Sequence, residues 1–338
     1  MAAQVIRVAF IGGGGMAEAH SEALSKQKGV QIVGYCDPDR SVARQRIEKY
    51  GGECYEDPGA MMDALQPNCV YFTQPPFAHG AELEAVERNI PFFIEKPVGL
   101  DMALTNKIVS AVRRTGLLTC AGYMNRYRPG VQMVKKALAR DPAILVTGGW
   151  IGGTPRPRGG KGIWTWWVDK KKSGGQFHEQ VTHTVDLARF LCDEVKEVHA
   201  FAAEGFNIGT PRNYDIEDAA VVNIRFQCGA VANLWAGCCA NGGGGGISLS
   251  IYAARTTALF TGWEHSVRLL REKKDPVEIA GAGAAEIFAV EDDAFIKAVR
   301  TGKRAGILSS YEDAAKTLAV TLAANESMRT GKPVPVRV

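Results

Sequence analysis

Short apolar runs that stop on glycine, aspartate or a turn residue alternate, over the first third of the chain, with segments whose apolar positions recur every three or four residues. Val5–Gly12, Val30–Asp37, Val70–Thr73, Pro91–Glu95 and Leu117–Gly122 read as strands. Met16–Gln27, Arg40–Tyr50, Gly80–Arg88 and Met102–Thr115 read as the helices between them. Such alternation predicts a parallel sheet covered by helices, with functional residues where the chain leaves the strands. After Tyr123 the pattern changes. Arg126–Arg140 reads as a linking helix, and separated β-like runs follow at Ile144–Ile151, Val195–Ala203, Ala219–Phe226, Ala230–Ala236, Ile247–Ala254 and Thr256–Thr261. These predict a largely antiparallel sheet, accompanied by helices over Glu179–Leu191, Glu291–Arg300 and Tyr311–Arg329. The expected architecture is an α/β domain over 1–123, then an α+β domain over 124–338 with a large, mostly antiparallel open sheet.

Composition narrows this picture. A chain of 338 residues exceeds the size at which one core stops growing, so two domains are expected. With 46% hydrophobic and 22% charged residues, wholesale disorder is excluded. The net charge of +4 is too small and dispersed to point to nucleic acid, and Lys135-Lys136 and Lys170-Lys171-Lys172 read as solvated faces. Eight scattered cysteines form no CxxC pair, which suggests reduced thiols and no metal site. The N-terminal apolar run leads straight into a glycine turn and lacks a cleavage signal, so a cytoplasmic protein is expected. The uncharged run Cys228–Ala254 is long enough to span a membrane, but Gly229, Asn233, Asn241 and Gly242–Gly246 make two strands and a glycine loop the better reading. Gly152–Gly162, rich in Gly, Pro and Arg, reads as a loop, and no internal repeat is visible.

The first strand stops on Gly12-Gly13-Gly14-Gly15-Met16-Ala17. A strand that ends on tight glycines and restarts as a helix aims free N–H groups and a positive helix end at a pyrophosphate. Gly12 would permit the turn, Gly14 the close approach of backbone to phosphate, and Ala17 the packing of helix on strand. A plain surface turn would also contain glycines. Asp37, 25 positions beyond Gly12 and closing the next strand, favours a Rossmann dinucleotide site, because a carboxylate there binds ribose hydroxyls. It points to NAD; Arg40 keeps NADP open. Glu95-Lys96-Pro97 leaves the strand candidate Pro91–Glu95, and proline stiffens the turn that holds Lys96, although an exposed lysine beside a turn proline reads the same way. Thr73-Gln74-Pro75-Pro76, with His79 nearby, leaves the strand before it, as a pocket wall or a rigid turn.

A second cluster runs from Ser173-Gly174-Gly175 through His178 and Glu179 to His183 and Asp186. On one helix, Glu179 and His183 share a face, which suits acid–base work; the alternative is a packing histidine near an acidic helix start. His178 and His183 are five apart, which does not match the four-residue spacing of a zinc-protease helix, and no GxSxG nucleophile elbow occurs. Trp164, Trp166 and Trp167, with Asn125-Arg126-Tyr127, offer aromatic faces and polar groups for a sugar-like ligand, or simply pack.

The order of these features resembles the Gfo/Idh/MocA oxidoreductases, named for glucose-fructose oxidoreductase, inositol dehydrogenase and a rhizopine catabolism protein. The resemblance covers essentially the whole chain, and the EKP tripeptide and the GG-to-HxxD segment carry most of it. It implies an N-terminal Rossmann domain, a C-terminal domain with a large open sheet, homodimers or homotetramers built through that sheet, and a sugar or cyclitol substrate. The family pattern GGxxxDxGxH is met by His183; Glu179 stands at the aspartate and Val181 at the second glycine. The resemblance thus implies Lys96, His183 and Glu179 as catalytic residues; Asn125, Arg126, Trp164 and Trp166, from their polar and aromatic character, are expected beside the substrate. Cofactor contacts are expected from Gly12, Gly14, Gly15, Met16, Ala17, Asp37, Arg40, Thr73, Gln74, Pro75, His79, Glu95 and Lys96. The expected reaction is hydride transfer between nicotinamide and a secondary alcohol. Glycoside cleavage by transient oxidation and elimination, and a dinucleotide sensor without chemistry, are the alternatives.

Overall fold

The computed structural model describes residues 5–155 and 164–337. Its first elements are β1 (Ile6–Ile11), α1 (Gly15–Leu24), β2 (Val30–Cys36), α2 (Arg40–Tyr50), β3 (Glu53–Tyr55), α3 (Pro58–Leu65), β4 (Cys69–Phe72), α4 (Glu82–Glu87), β5 (Phe92–Ile94), α5 (Met102–Thr115) and β6 (Thr119–Ala121). Next come α6 (Pro129–Leu138), β7 (Ala143–Ile151), α7 (Trp164–Trp167), α8 (Lys170–Ser173), α9 (Gln176–Glu179), α10 (Thr182–Leu191), β8 (Val195–Ala203), β9 (Ala219–Phe226) and β10 (Val231–Gly237). The chain then forms β11 (Gly246–Ala253), β12 (Thr256–Thr261), β13 (Ser266–Arg271), β14 (Lys274–Ile279), α11 (Ala284–Thr301), α12 (Tyr311–Thr330) and β15 (Val334–Pro335). From residue 156 onward, the expected Gly/Pro/Arg loop lies outside the described residues.

Two compact units result: one runs to Met124 and takes in Ala284–Ala315, and the other comprises Asn125–Gly283 and Lys316–Val338. The first contains a six-stranded sheet, ordered β3-β2-β1-β4-β5-β6, in which every pairing is parallel. This is the doubly wound order whose strand ends bind dinucleotides. The pair β3 and α3 has no counterpart in the periodicity reading, although Asp57 caps α3 by accepting from the Ala60 N–H at 2.6 Å, with Pro58 in the first turn.

A break at 123/124 would leave α11 with the later sheet, whereas it packs in the first unit. Phe295 and Ile296 are buried with Phe10, Tyr35, Tyr71 and Phe93 of the parallel sheet. Burial of each such side chain contributes about 1.5–3 kcal/mol, which is what draws a distant helix into this core.

The second unit holds a nine-stranded sheet ordered β14-β13-β12-β11-β7-β10-β9-β8-β15. It is antiparallel except where β10 runs parallel to β7. The run Cys228–Ala254 forms β10, a glycine loop and β11, with β7 between the two strands, and among the described residues no helix is long and apolar enough to cross a membrane. Ala220, Val222, Ile224 and Phe226 of β9 alternate inward and meet Val131, Val134 and Leu138 of α6 in one core. The opposite face exposes Phe201, Val221, Val231 and Tyr252.

Three expected helices differ in extent. The linking helix divides into a 3₁₀ turn, Met124–Tyr127, and α6, because Pro129 has no N–H to continue a helix and holds Arg128 extended at ψ 133°. The helix expected over Glu179–Leu191 divides too: Val181 turns at ψ −4°, and its carbonyl accepts from Thr184 and Val185. Glu179 and His183 therefore occupy different helices, and the four-residue face argument does not apply to them. The third, expected from Glu291, begins at Ala284. Strands β13 and β14 escaped the hydrophobic pattern; β14 is an edge strand with Lys274, Asp275, Pro276 and Glu278, residues suited to an unpaired edge.

Candidate cofactor and catalytic sites

In the first unit the glycine turn follows β1. Gly12 has φ +92°, and a Cβ there would lie 2.6 Å from the Gln74 nitrogen, so only glycine fits. Thr73 locks the turn by donating its hydroxyl to the Gly12 carbonyl at 2.7 Å. A Cβ on Gly14 or Gly15 would meet nothing within 4 Å, which leaves open space at the start of α1, where N–H groups are free to bind an anion. Met16 is half-buried and Ala17 fully buried against the sheet.

Asp37 leaves β2 beside this turn. Its Oδ2 accepts from the Gly13 N–H at 2.8 Å and its Oδ1 from the Asp39 N–H at 2.9 Å. The carboxylate is thereby oriented, and each oxygen keeps a lone pair for a ribose hydroxyl. Arg40, which would favour a 2′-phosphate, pairs with Glu56 at 3.1 Å. The open glycine turn and the fixed carboxylate fit an NAD adenosine and pyrophosphate. Asp37→Ala is expected to weaken NADH binding by roughly 10- to 100-fold, the worth of charge-assisted hydrogen bonds, and NADPH binding far less. Fluorescence titration of both nucleotides checks this; parallel losses would refute the assignment.

Gln74 and Pro75, half-buried, leave β4. His79 bridges the Glu82 carboxylate, at 2.6 Å, and the Pro97 carbonyl, at 3.2 Å, so it braces the turn that carries Lys96. Glu95 is 4% exposed, and its carboxylate meets His20 Nε2 at 2.9 Å and the Lys96 N–H at 3.1 Å. Those bonds engage Glu95 with the protein. Gly122 makes room for it, since a Cβ there would sit 2.8 Å from Glu95 Oε1. Lys96 itself is half-buried.

In the second unit, Gly174 and Gly175 take φ +80° and +96° and form the turn between α8 and α9. A Cβ on Gly174 would strike His178, and one on Gly175 would strike Glu217. Glu217, which the motif reading missed, is fully buried, accepts from the Phe177 N–H at 2.9 Å and pairs with Lys170 at 3.2 Å. It caps the helix that bears Glu179. No local pattern marks it, because it lies 40 residues from its partner.

Glu179 is buried and accepts from the Trp167 indole N–H. His178, also buried, meets Thr321 at 3.0 Å, while His183 is half-buried on α10. Trp164 stands edge-on to Trp167 with centroids 5.0 Å apart, and Trp164 and Trp166 both pack against Trp167, Val168, Ile216 and Cys238. Arg126 gives both its Nε and Nη2 to Asp186, at 2.8 and 2.6 Å, in a buried pair. Asn125 accepts from Arg128 at 2.7 Å. Both residues thus organise the protein's own interior. Among the described residues no three His, Cys, Asp or Glu side chains gather as a metal site.

A dinucleotide-binding unit with a lysine turn at its strand ends, joined to a unit built on a large mixed sheet, defines a nicotinamide-dependent oxidoreductase. Residues 6–123 match the model of the oxidoreductase family with an NAD-binding Rossmann fold, and residues 150–258 match the GFO/IDH/MocA C-terminal domain. The chain belongs to the GFO/IDH/MocA family and is an NAD-dependent dehydrogenase acting on CH–OH groups. It is 25% identical over 351 residues to scyllo-inositol 2-dehydrogenase (NAD(+)) of Bacillus subtilis strain 168, covering 98% of this chain and 97% of that protein. It is 24% identical over 244 residues to myo-inositol 2-dehydrogenase of Thermotoga maritima, covering 67% of this chain and 66% of the other. Levoglucosan dehydrogenase, solved with NADH and levoglucosan, shares the fold at a TM-score of 0.88 and 20% identity, covering 98% and 99% of the two chains.

Proposed function

We propose that this protein reversibly oxidises a secondary alcohol of a sugar, sugar derivative or cyclitol. The observation that carries the proposal is Lys96, on a braced turn at the end of β5 in the unit whose glycine turn and Asp37 suit NAD. Full-length similarity to an inositol dehydrogenase supports the substrate class. Bound NAD supplies the hydride acceptor.

Roles are assigned residue by residue. His183 takes the hydroxyl proton as general base, since an imidazole titrates near neutrality. Lys96 donates to the oxygen as it gains alkoxide and then carbonyl character. Glu179, where the family has aspartate, keeps the negative charge one methylene further out and orients a substrate hydroxyl or the base. Its bond from Trp167 supports an orienting role, because that bond holds the carboxylate in one place. We also assign a homodimer or homotetramer, supported by the exposed apolar positions Phe201, Val221, Val231 and Tyr252 on one sheet face.

The test is purified protein with NAD, then NADP, across sugars, cyclitols and glycosides, following reduced nicotinamide by absorbance and products by chromatography. Polyol-dependent NADH formation is expected. Release of a free sugar or aglycone from a glycoside without net NADH would replace the proposal with oxidation and elimination. Tight NADH binding with no turnover in either channel would favour a sensor.

A further inference from the structure

Behind Glu95 lies a chain of buried ionisable groups. His20, on α1, meets Glu95 Oε1 through Nε2 at 2.9 Å and Asp292 Oδ1, on α11, through Nδ1 at 2.8 Å. His20 and Asp292 are fully buried. The rings of Tyr71, Phe93 and Phe288 wall the imidazole at centroid distances of 5.4, 4.9 and 5.3 Å. The other Glu95 oxygen accepts from the Lys96 N–H at 3.1 Å. A neutral imidazole carries one N–H, whereas two ionised flanking carboxylates need two donors, so with both acids ionised the arrangement is an imidazolium between carboxylates.

We propose that Asp292, His20 and Glu95 form a positioning relay for Lys96. A buried imidazolium anchored on Asp292 fixes the Glu95 carboxylate, and that carboxylate fixes the backbone from which the lysine side chain leaves. The relay ties the EKP turn to α1, whose N-terminus faces the open phosphate space, so the cofactor helix and Lys96 are held in one register. It rests on the role given to Lys96 above.

Titratable groups face the ring from every element packed around it. Asp292 and its neighbour Glu291 come from α11, Glu95 follows β5, and the Tyr71 phenol on β4 is kept un-ionised by burial; burial also raises the Asp292 pKa, against the pull of the His20 charge and hydrogen bond. Burial alone would lower the His20 pKa, but Asp292 and then Glu95 outweigh it and push it from 6.5 up to about 10. A folded-state pKa above the unfolded one gives stability that is whole below pH 6.5 and is lost as pH rises through about 10.

Protein labelled with ¹⁵N-histidine, with His20→Gln to assign the signal, gives the first readout. Both His20 ring nitrogens are expected in the protonated range at pH 7.5; a single neutral tautomer overturns the proposal. The second uses ¹³C-methylated lysines, with Lys96→Arg for assignment. In His20→Gln that is folded and binds NADH within about threefold of wild type, the Lys96 resonance should move. With an accepted polyol, kcat should fall about tenfold at little-changed KM. The wild-type Tm advantage over His20→Gln should shrink between pH 7 and 10. If His20→Gln does not fold, Asp292→Asn, similar in size, carries the same measurements. An unmoved Lys96 resonance in the folded variant overturns the relay whether or not any polyol reacts. A moved resonance without turnover on any polyol keeps the relay and discards the assigned chemistry.

Discussion

Lys96→Ala is expected to lower kcat by about 10²- to 10³-fold while the Kd for NADH stays within a few-fold of wild type. Removing one preorganised donor from an oxygen that gains charge in the transition state costs that much in rate. Cofactor affinity should survive, because Thr73 locks the glycine turn through the Gly12 carbonyl and the Gly13 and Asp39 N–H groups orient Asp37. Lys96→Arg should recover little, since a planar guanidinium does not place a point charge where an ammonium does. Single-turnover reduction of NAD with the accepted polyol, alongside NADH fluorescence titration, separates the two effects. Equal losses in turnover and affinity would make Lys96 a cofactor ligand instead of a catalytic residue.

The largest stability effect belongs to the second unit. Asp186→Ala takes two charged acceptors from the Arg126 guanidinium, which is 4% exposed and lies against the Phe190 ring at 4.8 Å, and removes the carboxylate 3.9 Å from the buried Arg189. Thr317, which donates to Asp186 at 3.0 Å, loses an acceptor as well. Breaking a buried pair by removing one of its members costs about 3–5 kcal/mol, so a Tm lower by on the order of 10 °C is expected. The double variant Arg126→Met, Asp186→Leu should regain most of it, because the guanidinium goes together with the carboxylate it faces, while Arg189 keeps its pair with Glu194. Calorimetry of the three proteins decides the matter. A double variant as unstable as the single one would mean that the loss comes from packing and not from the broken pair.

How much of this was legible in the sequence depended on the range of the interactions involved. Gly12, Asp37 and Glu95-Lys96-Pro97 announced themselves because a turn, a strand end and a proline are local constraints that one short segment expresses. The alternating runs likewise revealed both sheets, since side-chain alternation is a local property. The helix that carries Asp292 gave no such sign of its destination, because its partner His20 is 272 residues away. Glu217 was silent for the same reason. The division between α9 and α10 escaped because Val181 suits a helix interior by pattern, and only its backbone angles reveal the turn. Arg126 and Asn125 looked like ligand groups because a polar side chain near a strand exit reads alike whether it faces a substrate or an interior partner.

Placing α11 in the nucleotide-binding unit also sets the order in which the protein can be made. As the chain leaves the ribosome, His20 and Glu95 emerge long before Asp292, and β7 through β14 must be synthesised in between. Until then the first unit lacks the helix that buries Phe295 and Ile296 and supplies the second carboxylate to His20. A nascent chain stalled after β6 would therefore hold an unfinished core, and a gene fragment ending at residue 123 should yield a partly folded product. Adding α11 back through a short linker is the repair that this arrangement suggests.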